Sequence, residues 1–264
     1  IFASIGLRWI VAPEGVAAEF GMTLMEGSGL SSQIGDLGAF FLSIAIFILL
    51  ALTTGRRIWY YPPIILLALT AIMRTMAWMF HNASSFNKDI SSWNTSNITD
   101  MFGLFSRATA FNQNINSWDT SSVTDMSLTF ERTTVFNQSL SNWNTSNVTD
   151  MSYMFSYAEA FNQDISSWDT SNVTNMEYMF YKDAAFNQDI GNWDTSNVTN
   201  MTLMFSYAVA FNQNIRRWNV SSATAFTDMF TNATLMQNTY SGVTGFANTP
   251  TSSWFDSTVP TMVI

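Results

Sequence analysis

The chain has 264 residues, a formal net charge of −9 and no cysteine. The missing thiol removes disulfides, thiolate metal sites and a cysteine nucleophile. The acidity makes nucleic acid a poor partner, since phosphates need Lys or Arg to neutralise them. Residues 1–83 carry four basic groups (Arg8, Arg56, Arg57, Arg74) against four acidic ones (Glu14, Glu19, Glu26, Asp36), so the whole of the −9 falls in residues 84–264. This break in composition predicts two parts, a transmembrane region over 1–83 and a second over 84–264, which the repeats described below divide into a repeat region over 84–235 and a C-terminal cap over 236–264.

In the first region, residues 38–53 run without a charge, and 58–80 form a second apolar run interrupted only by Pro62-Pro63 and Arg74. Each is close to the ~20 residues that cross a ~30 Å hydrocarbon core. Trp59, Tyr60 and Tyr61 at one end and Trp78 at the other suit the aromatic belts of bilayer interfaces. The expectation is an α-helical transmembrane bundle of two full spans, preceded by the truncated end of another at 1–12, with the true N-terminus upstream of Ile1. Membrane lipid is then a partner. Arg56 and Arg57 mark the cytoplasmic loop, which places the repeats on the extracytoplasmic side.

That topology brings Arg8, Asp36 and Arg74 to similar depth. Charges inside a bilayer are costly unless paired or hydrated. The three are read as an Arg–Asp clamp holding the bundle together, with a small polar relay as the alternative. The motifs GLRW, QIGDLGAFF and TGRR, with the Arg74, Trp78 and His81 end, resemble a family of small, uncharacterised multi-span bacterial membrane proteins over residues 6–83. The resemblance implies membrane insertion and no particular activity.

From Phe86 the sequence repeats with a fixed period of 25. Phe86, Phe111, Phe136, Phe161, Phe186 and Phe211 open the units, and Trp93, Trp118, Trp143, Trp168, Trp193 and Trp218 follow in phase as a core column. In 186–210 the inward set is Phe186, Ile190, Trp193, Val198, Met201, Met204 and Phe205. One such unit cannot bury enough apolar surface to fold alone, so it must stack on its neighbours. Met201, Met204, Phe205 and Ala208 have i, i+3, i+4, i+7 spacing, which predicts a short helix. The preceding Asn-Gln-Asp-Ile stretch predicts a short strand, and Asp-Thr-Ser-Asn a turn. Together they predict a right-handed α/β leucine-rich-repeat-like solenoid with a parallel sheet along one face.

Asn87, Asn112, Asn137, Asn162, Asn187 and Asn212 occupy one place in every unit. Stacked asparagines can bond the backbone of an adjacent coil, so the column is read as a structural ladder rather than a ligand site. The unit W-D-T-S-x-V-T-x-M-x-x-M-F resembles the BspA-like leucine-rich-repeat surface proteins over residues 84 to 235. What that resemblance implies is a cell-surface array engaged in adhesion or protein–protein contact, with no catalytic residue in its motif. The pattern decays after Phe230 into a tail with Gly242, Gly245, Pro250 and Trp254, read as the cap. At the join, residues 76–83 fit both the end of a membrane span and the M-x-x-M-F-x-x-A half of a repeat.

His81 is the only histidine, which removes a His-based triad and any multi-His metal site. Aspartates recur after the Asn-Gln pair and after Trp, but Asn and Ser interrupt both columns, so they read as a solvated edge rather than a calcium ladder. The sequons at Asn97, Asn147 and Asn197 fall out of the repeat itself. Neither catalytic, cofactor-binding nor metal-ligating residues are expected, and no cofactor. The function expected is a membrane-anchored, surface-exposed, non-catalytic repeat protein acting in protein–protein interaction or adhesion. The alternative is an accessory subunit of a membrane complex whose repeats contact partner subunits. An ice- or polysaccharide-binding face on the Thr95, Thr120, Thr145, Thr170 and Thr195 column is a third possibility.

Overall fold

In the computed structural model the described residues are 77–220 and 224–255. Their backbone is built almost wholly from turns. Each coil is opened by a polar side chain just before its first core methionine. Asp100 Oδ1 accepts the N–H of Phe102 at 2.8 Å, and Asp125, Asp150, Asn175 and Asn200 serve the residue two places on in the same way.

The donors that follow alternate between two uses. Met204, Ser206 and Ala208 donate to the carbonyls of Met201, Leu203 and Phe205, three residues back. Leu203, Phe205 and Tyr207 instead donate to Thr227, Met229 and Thr231 of the next coil, at 2.8–3.0 Å. Every second turn carries a left-handed residue, with φ of 57° at Leu203 and 61° at Tyr207. The pair recurs once in each coil from Trp78 and Asn82 to Asp228 and Asn232, with Gly103 in one of these places.

This overturns the expected repeat helix. An α-helix needs each N–H for the carbonyl four residues back, and here half of them are held by the neighbouring coil. The i, i+3, i+4, i+7 spacing arises because successive turns also bring Met201, Met204, Phe205 and Ala208 to the inside, where all four are buried. The expected strand is likewise absent. Parallel pairing shrinks to one residue per coil, in bridges from Asp100 to Asp125, Asp150, Asn175, Asn200 and Ala225. Among the described residues there is no strand, so the α/β leucine-rich-repeat-like solenoid is not the architecture.

The transmembrane bundle is also corrected. Among the described residues no helix is long and apolar enough to cross a membrane, which removes the support for the membrane location and the extracytoplasmic placement. The end of the second apolar run shows why its hydropathy misled. Residues 77–80 are turn, Trp78 is left-handed at φ 67°, and Phe80 stacks on Phe86 at 4.0 Å and on Phe105 at 5.5 Å. Phe80 and Met79 pack into the core of the first coil, while Trp78 stays exposed. The run 38–53 and residues Arg8, Arg56, Arg57, Asp36 and Arg74 lie outside the described residues.

The core is a set of aromatic columns. Phe105, Phe130, Phe155, Phe180 and Phe205 stack at 5.5–5.7 Å from coil to coil. A second column, Phe111 to Phe211, lies against it, with in-coil pairs such as Phe155–Phe161 and Phe180–Phe186 at 3.9 Å. Parallel offset rings at these separations are favourable arrangements. At the C-terminal end, a short helix α1 (Thr234–Thr239) and a 3-10 turn (Ser252–Trp254) cover the last coil. Trp254 is fully buried there, edge-on to Phe230 at 5.4 Å.

Candidate interaction face

Several of the repeated polar positions hold one coil to the next. Each ladder asparagine accepts the backbone N–H of its counterpart in the next coil: Asn87 from Asn112 at 2.9 Å, and so on through Asn112, Asn137, Asn162 and Asn187 to Asn212. The following glutamine of the next coil donates to the same side-chain oxygen, as Gln188 does to Asn162 at 2.8 Å. Asn212 Oδ1 ends the ladder, buried and without a partner.

The tryptophans form a column whose indole N–H groups donate to the preceding coil. Trp118, Trp143, Trp168, Trp193 and Trp218 bond the carbonyls of Ile90, Ile115, Leu140, Ile165 and Ile190 at 3.0–3.2 Å. Trp168, Trp193 and Trp218 stack 6.4 Å apart, while Trp93, in the first coil, is 38 % exposed.

The threonine column faces inward, which rules it out as an ice- or polysaccharide-binding surface. Thr95, Thr120, Thr145, Thr170 and Thr195 are buried, and the last four each donate to a carbonyl of the next coil at 2.9 Å. Asp119, Asp169 and Asp194 accept from the serine two residues on, whose hydroxyl and N–H hold these exposed carboxyls below their usual range. Among the described residues no three acidic or imidazole side chains gather where they could hold a metal.

The left-handed columns are different, because their side chains change from coil to coil. One reads Trp78, Gly103, Leu128, Tyr153, Tyr178, Leu203, Asp228; the other reads Asn82, Arg107, Arg132, Tyr157, Lys182, Tyr207, Asn232. These side chains lie outside the buried core and pack on one another along the column, so that a Cβ at Gly103 would meet the Trp78 ring at 3.1 Å. Attention to the repeated residues passes over these positions. The signal that finds them is the reverse one, the places where a strict repeat varies.

These side chains interlock along the stack. Tyr153 and Tyr178 stack at 4.5 Å. The Arg132 guanidinium lies 4.1 Å over the Tyr157 ring, with the Lys182 ammonium 4.8 Å from the same ring. Lys182 Nζ also donates to the Tyr157 hydroxyl at 3.3 Å, which raises the lysine's pKa. Burial, with the Glu177 carboxylate nearby, pushes the Tyr153 hydroxyl up to about 12. Both groups therefore keep their protons through the neutral range. Tyr207, Val209 and Leu235 continue the surface, each more than 40 % exposed.

Near the first coil, His81 packs edge-on against Trp78 at 4.3 Å. Burial, then the charge of Arg107, lowers its pKa to about 4, so it is a neutral ring at physiological pH. The arrangement offers shape and cation–aromatic contact.

A family model described as Mycoplasma protein of unknown function, DUF285, matches residues 69–164 and again 136–243, together more than half of the chain. No curated protein and no solved structure matches it.

Proposed function

The chain belongs to the DUF285 family, and from that premise we propose that its repeats are a non-catalytic protein–protein interaction module that binds through the left-handed columns. The observation that carries this reading is the division of labour within the coil. Repeated polar side chains are spent on hydrogen bonds within a coil or to the next one, whereas the varied columns carry several tyrosines, arginines and a lysine outside the core. Tyr and Arg are among the residue types that dominate binding energy at protein interfaces. Their neighbours across the coils already restrain them, which lowers the entropy lost on binding. The resemblance of the W-D-T-S-x-V-T-x-M-x-x-M-F unit to BspA-like surface proteins supports the same role.

The test is a photo-cross-linking amino acid placed at Tyr207 on this face or at Ser117 on the polar edge, in the full chain in its own cells. The proposal expects discrete protein adducts from position 207 and few from 117. Equal labelling from the two positions would count against it.

A further inference from the structure

We infer that the pocket between Arg107 and Arg132 is a carboxylate-binding subsite that anchors an acidic side chain of the protein partner; this rests on the interaction role proposed above. The pocket has a volume of about 470 Å³ and is lined by Arg107, Thr109, Arg132, Thr134, Tyr157 and Glu159. The acidic residues 84–264 hold only six Lys and Arg, and three of these, Arg107, Arg132 and Lys182, stand in one left-handed column.

The two arginines are held by one carboxylate. Glu131 sits where Ser106, Ser156 and Ser206 stand in other coils, and its side chain is only 9 % exposed. Its Oε1 accepts Arg132 Nε at 2.7 Å, and its Oε2 lies 3.5 Å from Arg107 Nε and accepts the Ser106 hydroxyl at 2.7 Å. Each guanidinium therefore turns its Nε inward, leaving its two outer NH2 groups for the pocket. Glu131 and Glu159 together balance the two arginines in formal charge, so the subsite rests on these outward guanidinium edges and not on a net positive charge. The Tyr157 ring behind Arg132 fixes the plane of that guanidinium. A planar fork fixed in this way matches a carboxylate bidentately. Thr134 adds a hydroxyl to the wall, that of Thr109 is engaged with the Ser84 carbonyl, and the exposed carboxylate of Glu159 in the same lining works against an incoming anion, which the two guanidinium forks must overcome.

An acidic protein side chain is favoured over other carboxylates because the pocket opens within the tyrosine-rich face, where a polypeptide gains flanking aromatic contacts. The experiment titrates the full chain with N-acetylated, C-amidated tetraglutamate, with tetraglutamine and an oligogalacturonate as comparisons. Saturable binding of tetraglutamate is expected, weakened at least tenfold by Arg107→Gln or Arg132→Gln and unchanged by Lys88→Gln. Glu131→Ser should tighten it, since the repulsive carboxylate is gone. Because losing one arginine strands buried Glu131, a triple variant (Glu131→Ser, Arg107→Gln, Arg132→Gln) keeps the test independent of folding: it should fold and fail to bind. The inference is overturned if tetraglutamate binds no better than tetraglutamine, if Lys88→Gln weakens binding equally, if the triple variant binds as the parent does, or if only the oligogalacturonate binds. Cross-linking through position 207 without carboxylate binding would leave the interaction role standing and remove this subsite alone.

Discussion

Asn137 Oδ1 accepts the backbone N–H of Asn162 at 3.0 Å and the side-chain amide of Gln163 at 2.8 Å. In a parallel sheet a backbone carbonyl would take that place. The side chain does it here because the Asn-Gln stretches of adjacent coils make no backbone ladder with one another. Asn137→Ala removes one acceptor from two donors. These groups are solvent-accessible, so water recovers part of the loss, and the expected cost is ~1 kcal/mol. The specific readout is hydrogen exchange at the Asn162 N–H, which should quicken in Asn137→Ala and stay protected in Asn137→Asp. Unchanged exchange in the alanine variant would show that the ladder does not hold the coils.

Asp183 stands where Ala158 and Ala208 stand in the adjacent coils, fully buried, with its Oδ2 unpartnered. Burial raises its pKa well above the carboxyl range, although Oδ1 accepts the N–H groups of Ala185 and Phe186 at 3.2 Å. The native state then keeps a proton that the unfolded chain releases as pH climbs past ~4. The contribution of Asp183 to stability therefore falls with rising pH until the native group itself ionises. Asp183→Ala should abolish that slope and stabilise the chain by ~1–3 kcal/mol at pH 7, with little gain at pH 3. In the alanine coils the equivalent phenylalanine N–H turns to the alanine carbonyl, as Phe161 does to Ala158 at 2.9 Å. Urea unfolding at both pH values measures this, and an unaltered pH slope would contradict it.

Trp168 and Trp93 hold the same place in the repeat but not the same environment. Trp168 is 4 % exposed and bonded to Leu140 O at 3.2 Å, whereas Trp93 is 38 % exposed. Trp168→Ala should cost ~3–5 kcal/mol, the range for a buried tryptophan. Trp93→Ala should cost under half as much, because one face of its ring has no coil above it among the described residues. Thermal or urea unfolding of the two variants decides; equal losses would mean that coils do not depend on both neighbours.

The repeat period and the inward residues are legible in the sequence because burial demands a large apolar side chain at the same place in every coil. Phe186, Ile190, Trp193, Val198, Met201, Met204 and Phe205 are all buried. The conformation between those points is not legible. An Asn or Asp followed by M-x-x-M-F has the form of a capped helix start, and the choice of turns instead rests on carbonyls of the next coil, such as Thr227 for Leu203. The same tertiary origin hides the left-handed sites. Nothing local distinguishes Leu203 or Tyr207 from helix formers, and in the column of Leu203 only Gly103 and, less strongly, Asp228 have residue types that favour a positive φ. The membrane expectation failed at its C-terminal edge for a related reason. Met79 and Phe80 belong to a coil core that the following coil completes, with Phe105 stacked on Phe80. The left-handed columns escape notice because a repeat draws attention to what recurs, while their residue types change from coil to coil.

Each period of the repeat forms one coil of the stack, and a distance between spin labels tests this most directly. Thr109 and Val209 are exposed, occupy the same place in the repeat and lie four coils apart. At ~4.8 Å per coil their backbones should be about 20 Å apart. Double-label electron resonance on Thr109→Cys/Val209→Cys should return one narrow distribution near that value, broadened by the label arms. A broad distribution, or one centred beyond about 35 Å, which exceeds what four stacked coils span, would contradict the stack and the interaction face proposed on it.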